Sequence, residues 1–517
     1  MRGVETKKTV LRRRIFEEVA RFAYEDGKPK EFNELPYKII PGEIATYRES
    51  IFLERAIVGE RLRAAMGMST RPLTQHSQIS DGLKEAMKGE LYYEPPLVSV
   101  IRFACHACPD KRVFVTDGCQ GCLEHPCQDV CPKGAISMEN GRSHIDESKC
   151  VRCGLCMNAC QYNAIIRQER PCVKACGVGA ITTDRYNRAK INQDKCVQCG
   201  MCLVSCPFAA IVDKGQIYQT IKAIKGKHDV YAILAPAYVG QFGGKLTPTR
   251  VRSAFQALGF KDVAEVAVGA DLCTIEEAND FLKEVPGKLP FLCTSCCPAW
   301  SVMVRKNFPD AAKSVSMALT PMVLTARLLK TQHPDCKICF VGPCLSKKQE
   351  ASRKSIKSYV DFCLTFEEVA GMFDAREVDL DKLPDSKPLR EASGDGRGFA
   401  ASGGVANAVV NYVRKIDPTR DVKVQKGDGL AECKTMMNIA TKTHKYDGYL
   451  LEGMACPGGC IAGAGTLQPV AKSKVSLTQS IKDADFQQAA ETTYADWITD
   501  LEHIDEMFAE ANEHPDD

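Results

Sequence analysis

The chain has 517 residues, 27 of them cysteine, and its 68 basic and 65 acidic residues leave a formal net charge of only +3. This balance does not favour nucleic-acid binding, and 44% apolar with 26% charged residues excludes a disordered or fibrous protein. No window is apolar enough for a membrane span, and the N-terminus makes a poor export signal, so we expect a soluble cytoplasmic protein. Clustered cysteines in a reducing compartment indicate metal binding or catalysis rather than disulfides.

The first hundred residues contain no cysteine. Apolar residues fall at helical spacing in two stretches, and this predicts a small helical region packed on something larger. The two sets are Leu11, Ile15, Val19, Phe22 and then Ile44, Tyr47, Ile51, Val58, Leu62. We assign residues 1–97 to this region and a following linker, and its role cannot be derived from the sequence.

A fourfold repeat follows, with 16 cysteines between Cys105 and Cys206. Two runs follow C-x2-C-x2-C-x3-C, a third widens the middle gap, and a fourth keeps only its end. They are Cys150, Cys153, Cys156, Cys160; Cys196, Cys199, Cys202, Cys206; Cys119, Cys122, Cys127, Cys131; and Cys172, Cys176. This is the spacing of [4Fe–4S] ferredoxins, in which the fourth cysteine binds the other cluster. A structural zinc site is disfavoured, because zinc sites use two C-x2-C pairs that lie far apart in the sequence. Residues 98–216 are therefore predicted to form a ferredoxin-like domain.

Sixteen thiolates are enough for four clusters if Cys105 and Cys108 complete the shortened run. Proline follows the last cysteine in the first and fourth runs only, which favours a nested pairing of first with fourth and second with third. The expected sets are Cys119, Cys122, Cys127, Cys206; Cys196, Cys199, Cys202, Cys131; Cys150, Cys153, Cys156, Cys176; and Cys105, Cys108, Cys172, Cys160. The layout resembles four-motif electron-transfer subunits of molybdopterin enzymes and membrane hydrogenases.

Residues 217–517 alternate short apolar runs with helical patterns, which predicts an α/β domain with parallel sheets and C-terminal helices. The predicted strands are Val230–Leu234, Val263–Val268, Ile338–Val341 and Tyr449–Leu451, and a helix is expected after Gly403 and Gly404. The fold class is thus α+β and α/β multidomain: a helical N-terminal region, a ferredoxin-like domain for four [4Fe–4S] clusters, and an α/β catalytic domain.

Three motifs in the last part carry chemistry: FLCTSCCPAW at 291–300, FVGPCLSKKQE at 340–350 and LEGMACPGGCIAGAG at 451–465. Their sequence and order resemble the catalytic domain of [FeFe]-hydrogenases from about Ala235 to Gly465. The resemblance implies an H-cluster, a [4Fe–4S] cubane joined to a di-iron unit with CO, cyanide and a dithiolate bridge. Its implied cubane ligands are Cys297, Cys344, Cys456 and Cys460, of which Cys460 bridges to the di-iron unit.

The same resemblance assigns the residues around that cofactor. Lys347 is expected to donate to one cyanide and the backbone after Ala235 and Pro236 to the other, while Met454 and Glu452 are retained. The implied proton relay consists of Cys296, Glu277, Ser316 and Asp280. Three positions depart from the family pattern, namely Gly342 for methionine, Ala237 for serine and Met322 for glutamine. We expect Gly342 to open space beside the di-iron unit, with Met322 filling part of it.

The implied activity is reversible reduction of protons to H2, with electrons supplied through the accessory clusters by ferredoxin or a similar small carrier. Hydrogenase maturation factors are implied as partners, and neither nucleic acid nor membrane is. Two alternatives stay open: a sensory or H2-oxidising hydrogenase, and a non-catalytic iron–sulfur assembly factor, which would lack Cys296 and Cys460. Six other thiols are expected to pack in the core: Cys273, Cys293, Cys336, Cys339, Cys363 and Cys433. His106 is a candidate cluster ligand or a hydrogen-bond donor to such a ligand.

Overall fold

The computed structural model describes residues 5–88, 93–109, 111–244, 246–353, 356 and 358–494. It is a mixed helix and sheet structure whose larger sheets are parallel, which confirms the predicted fold class. None of the helices in these ranges has the length and apolar character needed to cross a bilayer.

The N-terminal region is helical, as predicted. Its helices are α1 (Lys7–Tyr24), α2 (Pro29–Ile39), α3 (Ile51–Ala65) and α4 (Leu83–Ala86). The prediction that the second helical pattern starts at Ile44 is wrong, because Ile44 is 83% exposed and α3 begins at Ile51. The Glu54 carboxylate accepts the backbone N–H groups of residues 46, 47 and 48 and holds this segment in a turn before the helix.

Helix α1 does not stand apart from the rest of the chain. Its apolar face, with Phe16 and Val19, belongs to one hydrophobic core that includes strand and helix residues from 217 to 373. The Thr6 hydroxyl caps its first turn. The N-terminal region is therefore packed on the larger part, as the helical spacing indicated.

The cysteine-rich part consists of short antiparallel pairs and short helices. The strands are β1 (Val98–Val100), β2 (Arg112–Val115), β3 (Ile136–Glu139), β4 (Arg142–Ile145), β5 (Ile165–Gln168), β6 (Ile181–Thr183), β7 (Ala189–Ile191) and β8 (Ile211–Asp213). The helices are α5 (Pro126–Asp129), α6 (Leu155–Ala159), α7 (Pro171–Lys174) and α8 (Met201–Ser205). The pairs are β1–β8, β2–β5, β3–β4 and β6–β7. Helix α5 packs on α6 and α7 on α8, so consecutive repeats lie together.

The remaining chain forms two parallel sheets covered by helices. A four-stranded sheet has the order β10 (Asp262–Glu265), β9 (Val230–Leu234), β12 (Lys337–Gly342), β13 (Phe362–Thr365). A three-stranded sheet has the order β11 (Leu292–Cys293), β15 (Tyr449–Met454), β14 (Lys423–Asp428). The helices are α9 (Ile217–Ile224), α10 (Val251–Ala257), α11 (Val266–Glu284), α12 (Pro298–Asn307), α13 (Pro321–Gln332), α14 (Leu345–Ala351), α15 (Phe366–Ala375), α16 (Gly394–Gly398), α17 (Gly404–Ile416), α18 (Leu430–Thr443) and α19 (Val470–Lys482). The 3-10 helices are Arg102–Ala104, Pro236–Tyr238, Pro309–Ser314, Cys460–Ala462 and Ala489–Glu491.

Two predicted elements in this part differ from those in the structure. The strand expected over Val263–Val268 ends at Glu265, and α11 starts directly at Val266. Of the expected C-terminal helices, α19 is present, and the segment expected to form the last one, with Trp497 and Leu501, lies outside the described residues.

The motif cysteines lie at the carboxyl ends of parallel strands. Cys297 follows β11, Cys344 follows β12 and Cys456 follows β15. Ligands of parallel α/β sheets bind at this end of the strands. The topology therefore directs three distant segments of sequence to one place.

Candidate active site and accessory thiol clusters

Four thiols meet between the two sheets: Cys297, Cys344, Cys456 and Cys460. Burial raises the pKa of Cys344 to about 11, and the Cys297 thiol adds to this effect. Burial likewise raises the pKa of Cys456 and of Cys460, and in both cases the thiols of Cys344 and Cys297 contribute. Each thiol thus lies within electrostatic range of the others, and the four predicted ligands surround a common space.

Two glycines shape the loop that supplies the last two thiols. Gly458 and Gly459 have φ of +97° and +89°, in the left-handed region that side chains rarely adopt. A Cβ on Gly459 would lie 2.5 Å from the Ser402 backbone N. The glycines are therefore required by the turn and by the close approach of residues 400–402, in addition to any space they leave for a cofactor.

A buried cation lies beside the thiols. Lys347 Nζ forms an ion pair with Glu350 at 2.6 Å, and both side chains are buried. Burial lowers the pKa of Lys347, but the Glu350 carboxylate and the Cys344 and Cys296 thiols outweigh it and leave the pKa raised. The site therefore holds one permanent positive charge next to the four sulfurs.

These residues fit an iron–sulfur cluster. Four buried thiols with raised pKa values stay protonated unless a metal centre ionises them. A cubane separates its thiolates at its corners, and Lys347 suits an anionic ligand beside it.

The backbone after Ala235 and Pro236 lies at the carboxyl end of β9. The Ala235 N–H donates to Val341 O at 2.9 Å, and Pro236 has no N–H. The first N–H that this segment has for an anionic ligand is therefore that of Ala237, which is buried. Met454, at the end of β15, is also buried, and its carbonyl accepts the Gly429 N–H.

The expectation that Gly342 opens space is wrong. A Cβ on Gly342 would lie 2.5 Å from the ring of Phe340 and 3.0 Å from the Ala235 Cβ. The aromatic ring two residues earlier on β12 therefore takes the volume that a larger side chain would need. Met322 is fully buried in the same hydrophobic core, so it is a packing residue in this structure.

The four predicted relay residues line up between the thiols and the surface. Burial raises the pKa of Cys296, and Glu277 and Cys273 add to the effect. Glu277 is fully buried and one carboxylate oxygen, Oε1, accepts the Ser295 N–H at 2.5 Å. Its Oε2 has no hydrogen-bond partner within the described part of the chain. Burial raises the pKa of Glu277 to about 7, so this carboxyl exchanges a proton near neutral pH.

The outer part of this line reaches solvent. The Ser316 hydroxyl donates to Asp280 Oδ2 at 2.9 Å, and burial raises the pKa of Asp280. Both side chains line an open cleft of about 890 Å³. The Asp280 carboxylate adds to the raised pKa of Glu277, so the two acids are within electrostatic range. The cleft therefore supplies water to the outer end of the line.

The structure overturns the nested pairing of accessory cysteines. We name the observed sets site A (Cys176, Cys196, Cys199, Cys202), site B (Cys105, Cys108, Cys172, Cys206), site C (Cys131, Cys150, Cys153, Cys156) and site D (Cys119, Cys122, Cys127, Cys160). One small cavity is lined by all four thiols of site B and another by all four of site C. For site A, burial raises the pKa of Cys202, and the thiols of Cys199, Cys196 and Cys176 contribute. Site D is assigned by elimination to the remaining four, and its Cys127 and Cys160 lie in the same hydrophobic cluster as Cys131, Cys150 and Cys156 of site C.

The pairing therefore joins first with second repeat and third with fourth. The physical reason is tertiary: β2 pairs with β5, and α5 packs on α6, so Cys131 comes to the second repeat. A following proline is a local feature that does not select the partner. The location of Cys105 and Cys108 beside Cys172 agrees with the prediction that they complete a set.

Site A is the accessory set next to the candidate active site. The Cys199 thiol contributes to the raised pKa of Cys456. The Ser346 hydroxyl donates to Val197 O at 3.0 Å, and Lys306 Nζ donates to Cys196 O at 3.0 Å. Site B lies next, because its Cys172 contributes to the raised pKa of Cys202.

Helix α14 joins three parts of the molecule through consecutive side chains. Ser346 contacts the site A loop, Lys347 faces the four thiols, and Lys348 lies in a buried ion-pair group. Lys348 Nζ is 3.1 Å from Asp213, which ends β8, and 2.9 Å from Glu368 on α15. Its pKa is raised because these two carboxylates outweigh the lowering effect of burial.

Sequence reasoning missed several contributors. The Lys347–Glu350 pair has an i,i+3 signal, but the sequence does not reveal that this helix face is buried. Cys273, expected to pack only, lies close enough to raise the pKa of Cys296. His106, a candidate ligand, stacks on Phe208 with ring centroids 4.3 Å apart at the edge of site B, whose four thiols leave no need for it.

The comparisons with known proteins agree with this arrangement. Residues 228–464 match the family model described as iron only hydrogenase large subunit, C-terminal domain. Residues 143–166 and 188–211 match 4Fe-4S binding domains. Residues 228–464 are thus similar to the [FeFe]-hydrogenase catalytic domain, and the part before them carries ferredoxin-like [4Fe–4S] motifs, which confirms the resemblance.

Curated relatives cover parts of the chain. The NADP-reducing hydrogenase subunit HndD of Solidesulfovibrio fructosivorans is 28% identical over 52% of this chain and 54% of its own length. Iron hydrogenase 1 of Clostridium pasteurianum is 28% identical over 62% of this chain and 64% of its own. The chain thus spans less than two thirds of either relative.

Two further similarities are more distant. The cytosolic Fe-S cluster assembly factor NAR1 of Botryotinia fuckeliana is 23% identical over 40% of this chain and 52% of its own length. A solved variant of [FeFe]-hydrogenase HydA1 from Chlamydomonas reinhardtii is 20% identical, with a TM-score of 0.45 over 55% of this chain and 93% of that one.

Proposed function

We propose that this chain is an [FeFe]-hydrogenase that catalyses 2H⁺ + 2e⁻ ⇌ H2. The observation that carries the proposal is the position of Cys296: its thiol lies within electrostatic range of Glu277 and of Cys297 and Cys460, two of the four predicted ligands. A hydrogenase has to bring protons to a centre closed to water, and this thiol is placed to do so. The exposed end of the same line opens into the cleft beside Asp280.

The proposed cofactor is an H-cluster held by Cys297, Cys344, Cys456 and Cys460. When bound, it supplies the iron centre at which protons and electrons combine. Lys347 donates to an anionic ligand on one side, and its charge is maintained by Glu350 at 2.6 Å. The buried Ala237 N–H is the proposed donor on the other side, and Met454 packs nearby.

Protons travel through named groups of this chain. Water in the cleft exchanges with Asp280, which accepts the Ser316 hydroxyl at 2.9 Å. The next carrier is Glu277, whose unpartnered Oε2 is free to exchange a proton and whose pKa of about 7 suits neutral conditions. Cys296 is the last carrier before the cofactor. The raised pKa of this thiol keeps it protonated at neutral pH.

Electrons enter through the cysteine-rich part, for which we propose four accessory [4Fe–4S] clusters at sites A to D. Such clusters take and release single electrons. Site A adjoins the active site and site B adjoins site A, while Cys153 of site C is exposed. The proposed donor is ferredoxin or another small electron carrier, and the proposed assembly needs hydrogenase maturation factors.

The competing function is that of an iron–sulfur assembly factor without hydrogen chemistry, suggested by the relative with that name. Both Cys296 and Cys460 are present in this chain, and an assembly factor has no use for a proton relay. This is why catalysis is the preferred proposal.

Infrared spectroscopy of protein matured anaerobically with the hydrogenase assembly factors tests the proposal. We expect CO and cyanide bands, H2 evolution with a reduced carrier, and about 22 irons per chain from four cubanes and six H-cluster irons. About 18 irons would remove one accessory cluster. Intact cubanes without CO and cyanide bands would overturn the enzyme and favour the assembly factor.

A further inference from the structure

The N-terminal helices hold the loop that carries Cys206, the fourth thiol of site B. We call residues 203–209 the Cys206 loop. Three side chains from residues 1–97, namely Lys8, Arg48 and Arg61, donate hydrogen bonds to its carbonyl oxygens. All three carry positive charge, so the contact concentrates cations around one accessory site.

Lys8 makes the largest number of these contacts. Its Nζ donates to Leu203 O at 3.1 Å, to Val204 O at 3.0 Å and to Cys206 O at 3.0 Å. Burial and the neighbouring Arg12 lower the pKa of Lys8 to about 8, against the opposing effect of the Cys206 thiol. The ammonium is thus charged at pH 7 and lies within electrostatic range of a site B sulfur.

The two arginines approach from α3 and the turn before it. Arg48 Nη2 donates to Phe208 O at 2.8 Å and to Ala104 O at 3.0 Å, the residue before Cys105. Its guanidinium also lies over the Phe208 ring, 5.6 Å from the centroid. Arg61 donates to Ala209 O, and the Cys206 thiol is among the groups that act on its pKa.

The neighbouring Arg12 shows that other cations of the N-terminal region are paired with carboxylates. Arg12 forms an ion pair with Glu367 at 2.6 Å and approaches Asp213 at 3.8 Å, so its charge is balanced. Across the described ranges, Lys8, Arg48 and Arg61 form no ion pair with a carboxylate. Their positive charges lie instead against carbonyl oxygens of the Cys206 loop, next to site B.

We propose that the N-terminal helical region sets the reduction potential of the cluster at site B through Lys8, Arg48 and Arg61. The inference rests on the proposed function only in requiring a [4Fe–4S] cluster there. Reduction adds one electron, from [4Fe–4S]²⁺ to [4Fe–4S]⁺, and breaks no bond. Nearby positive charge stabilises the more negative reduced form and raises the potential. An electron held at site B is one cluster away from site A, where it serves the second electron transfer of H2 formation.

Redox titration of the full chain at pH 7, followed by electron paramagnetic resonance with dithionite as reductant, tests this proposal. Lys8→Met and Arg48→Gln are each expected to shift one accessory signal to lower potential. The shift corresponds to about a tenfold smaller reduced fraction at fixed potential, equal to about 59 mV for a one-electron couple. Cys108→Ser identifies the signal, because it changes a ligand of site B.

Two control variants separate charge from structure. Lys8→Arg keeps the charge and should restore the potential. Lys7→Gln removes an exposed cation on the same helix that donates to Thr46 O in the turn before α3, and it should leave every signal unchanged. Unchanged potentials in the Lys8→Met, Arg48→Gln double variant would overturn the proposal, and so would an equal shift in both controls.

The titration reads the accessory clusters whether or not the chain turns over H2. Normal accessory signals in a protein without CO and cyanide bands would contradict the hydrogenase function while leaving the inference about site B testable. The two proposals therefore fail by different results.

Discussion

The candidate active site and the outer accessory sites C and D differ in how they hold sulfur. At the active site the four thiols are enclosed between two parallel sheets, and burial raises the pKa of each. At site C, Cys153 is exposed, and at site D backbone N–H groups of Ser143 and Gly121 lower the pKa of Cys119. Burial of the active site keeps water away from the catalytic chemistry. Exposure of an accessory site allows it to exchange electrons with a carrier. The difference shows how one type of ligand serves both purposes.

Backbone donors recur in the accessory part. The N–H of the residue four positions after the last cysteine donates to its sulfur in three repeats, at 3.3 Å for Cys131, 3.4 Å for Cys160 and 3.2 Å for Cys176. These bonds stabilise thiolates without help from a cofactor. Backbone N–H groups also act on Cys297 and Cys344, but burial outweighs them and leaves both pKa values raised, so variants at the active site should have larger effects.

The largest expected effect is on turnover. Cys296→Ala removes the proposed proton carrier next to the cofactor but no cluster ligand. We expect H2 evolution to fall about 10²–10⁴-fold, while the CO and cyanide infrared bands stay. Cys293→Ala is the matched control, because this buried thiol contacts Met437 and is neither a predicted ligand nor a predicted relay residue. Unchanged turnover in Cys296→Ala would remove this thiol from the relay.

Glu350→Gln is expected to lower the free energy of unfolding. The substitution leaves the Lys347 ammonium buried without its partner, which costs about 3–5 kcal/mol of unfolding free energy. Denaturant unfolding of the apoprotein measures it. The exposed pair Lys382–Asp379 provides the control, since solvent screens this contact and Asp379→Asn should change stability far less than Glu350→Gln. Equal losses in the two variants would contradict the electrostatic role of the buried pair.

Glu277→Gln should reveal a pH dependence. The folded-state pKa of Glu277 is raised from 4.5 to about 7, so the stability it contributes is present below pH 4.5 and is lost as pH rises through 7. The variant should therefore gain on the wild type by up to about 3 kcal/mol between pH 5 and 8. Unfolding of both proteins across this range measures the gain. A difference that does not change with pH would mean that Glu277 does not titrate there.

The smallest effect is the loss of one spectroscopic signal, and it tests the pairing of repeats. Cys206→Ser and Cys108→Ser should alter the same accessory signal, because both residues belong to site B. Cys131→Ser should instead change the signal altered by Cys153→Ser. Under the nested pairing, Cys206→Ser would match Cys119→Ser.

The sequence predicts much of this molecule, because its strongest signals are local. The cysteine spacing, the short strands after each repeat and the three motifs are all readable within ten or fifteen residues. The pairing of Cys131 with the second repeat is set by strand contacts between β2 and β5, which no local pattern contains. The same applies to Phe340 filling the volume beside Gly342 and to Glu54 delaying the start of α3.

Helix α14 links the cysteine-rich part of the chain to the part that follows residue 216. Lys348 is fully enclosed, and its two carboxylates come from opposite sides of the predicted boundary between residues 216 and 217. A catalytic half expressed alone would keep Glu368 but lose Asp213, leaving a half-compensated charge at a newly uncovered surface. A shortened chain is therefore expected to need a substitution at this lysine, because the parts before and after residue 217 share one buried ion-pair group.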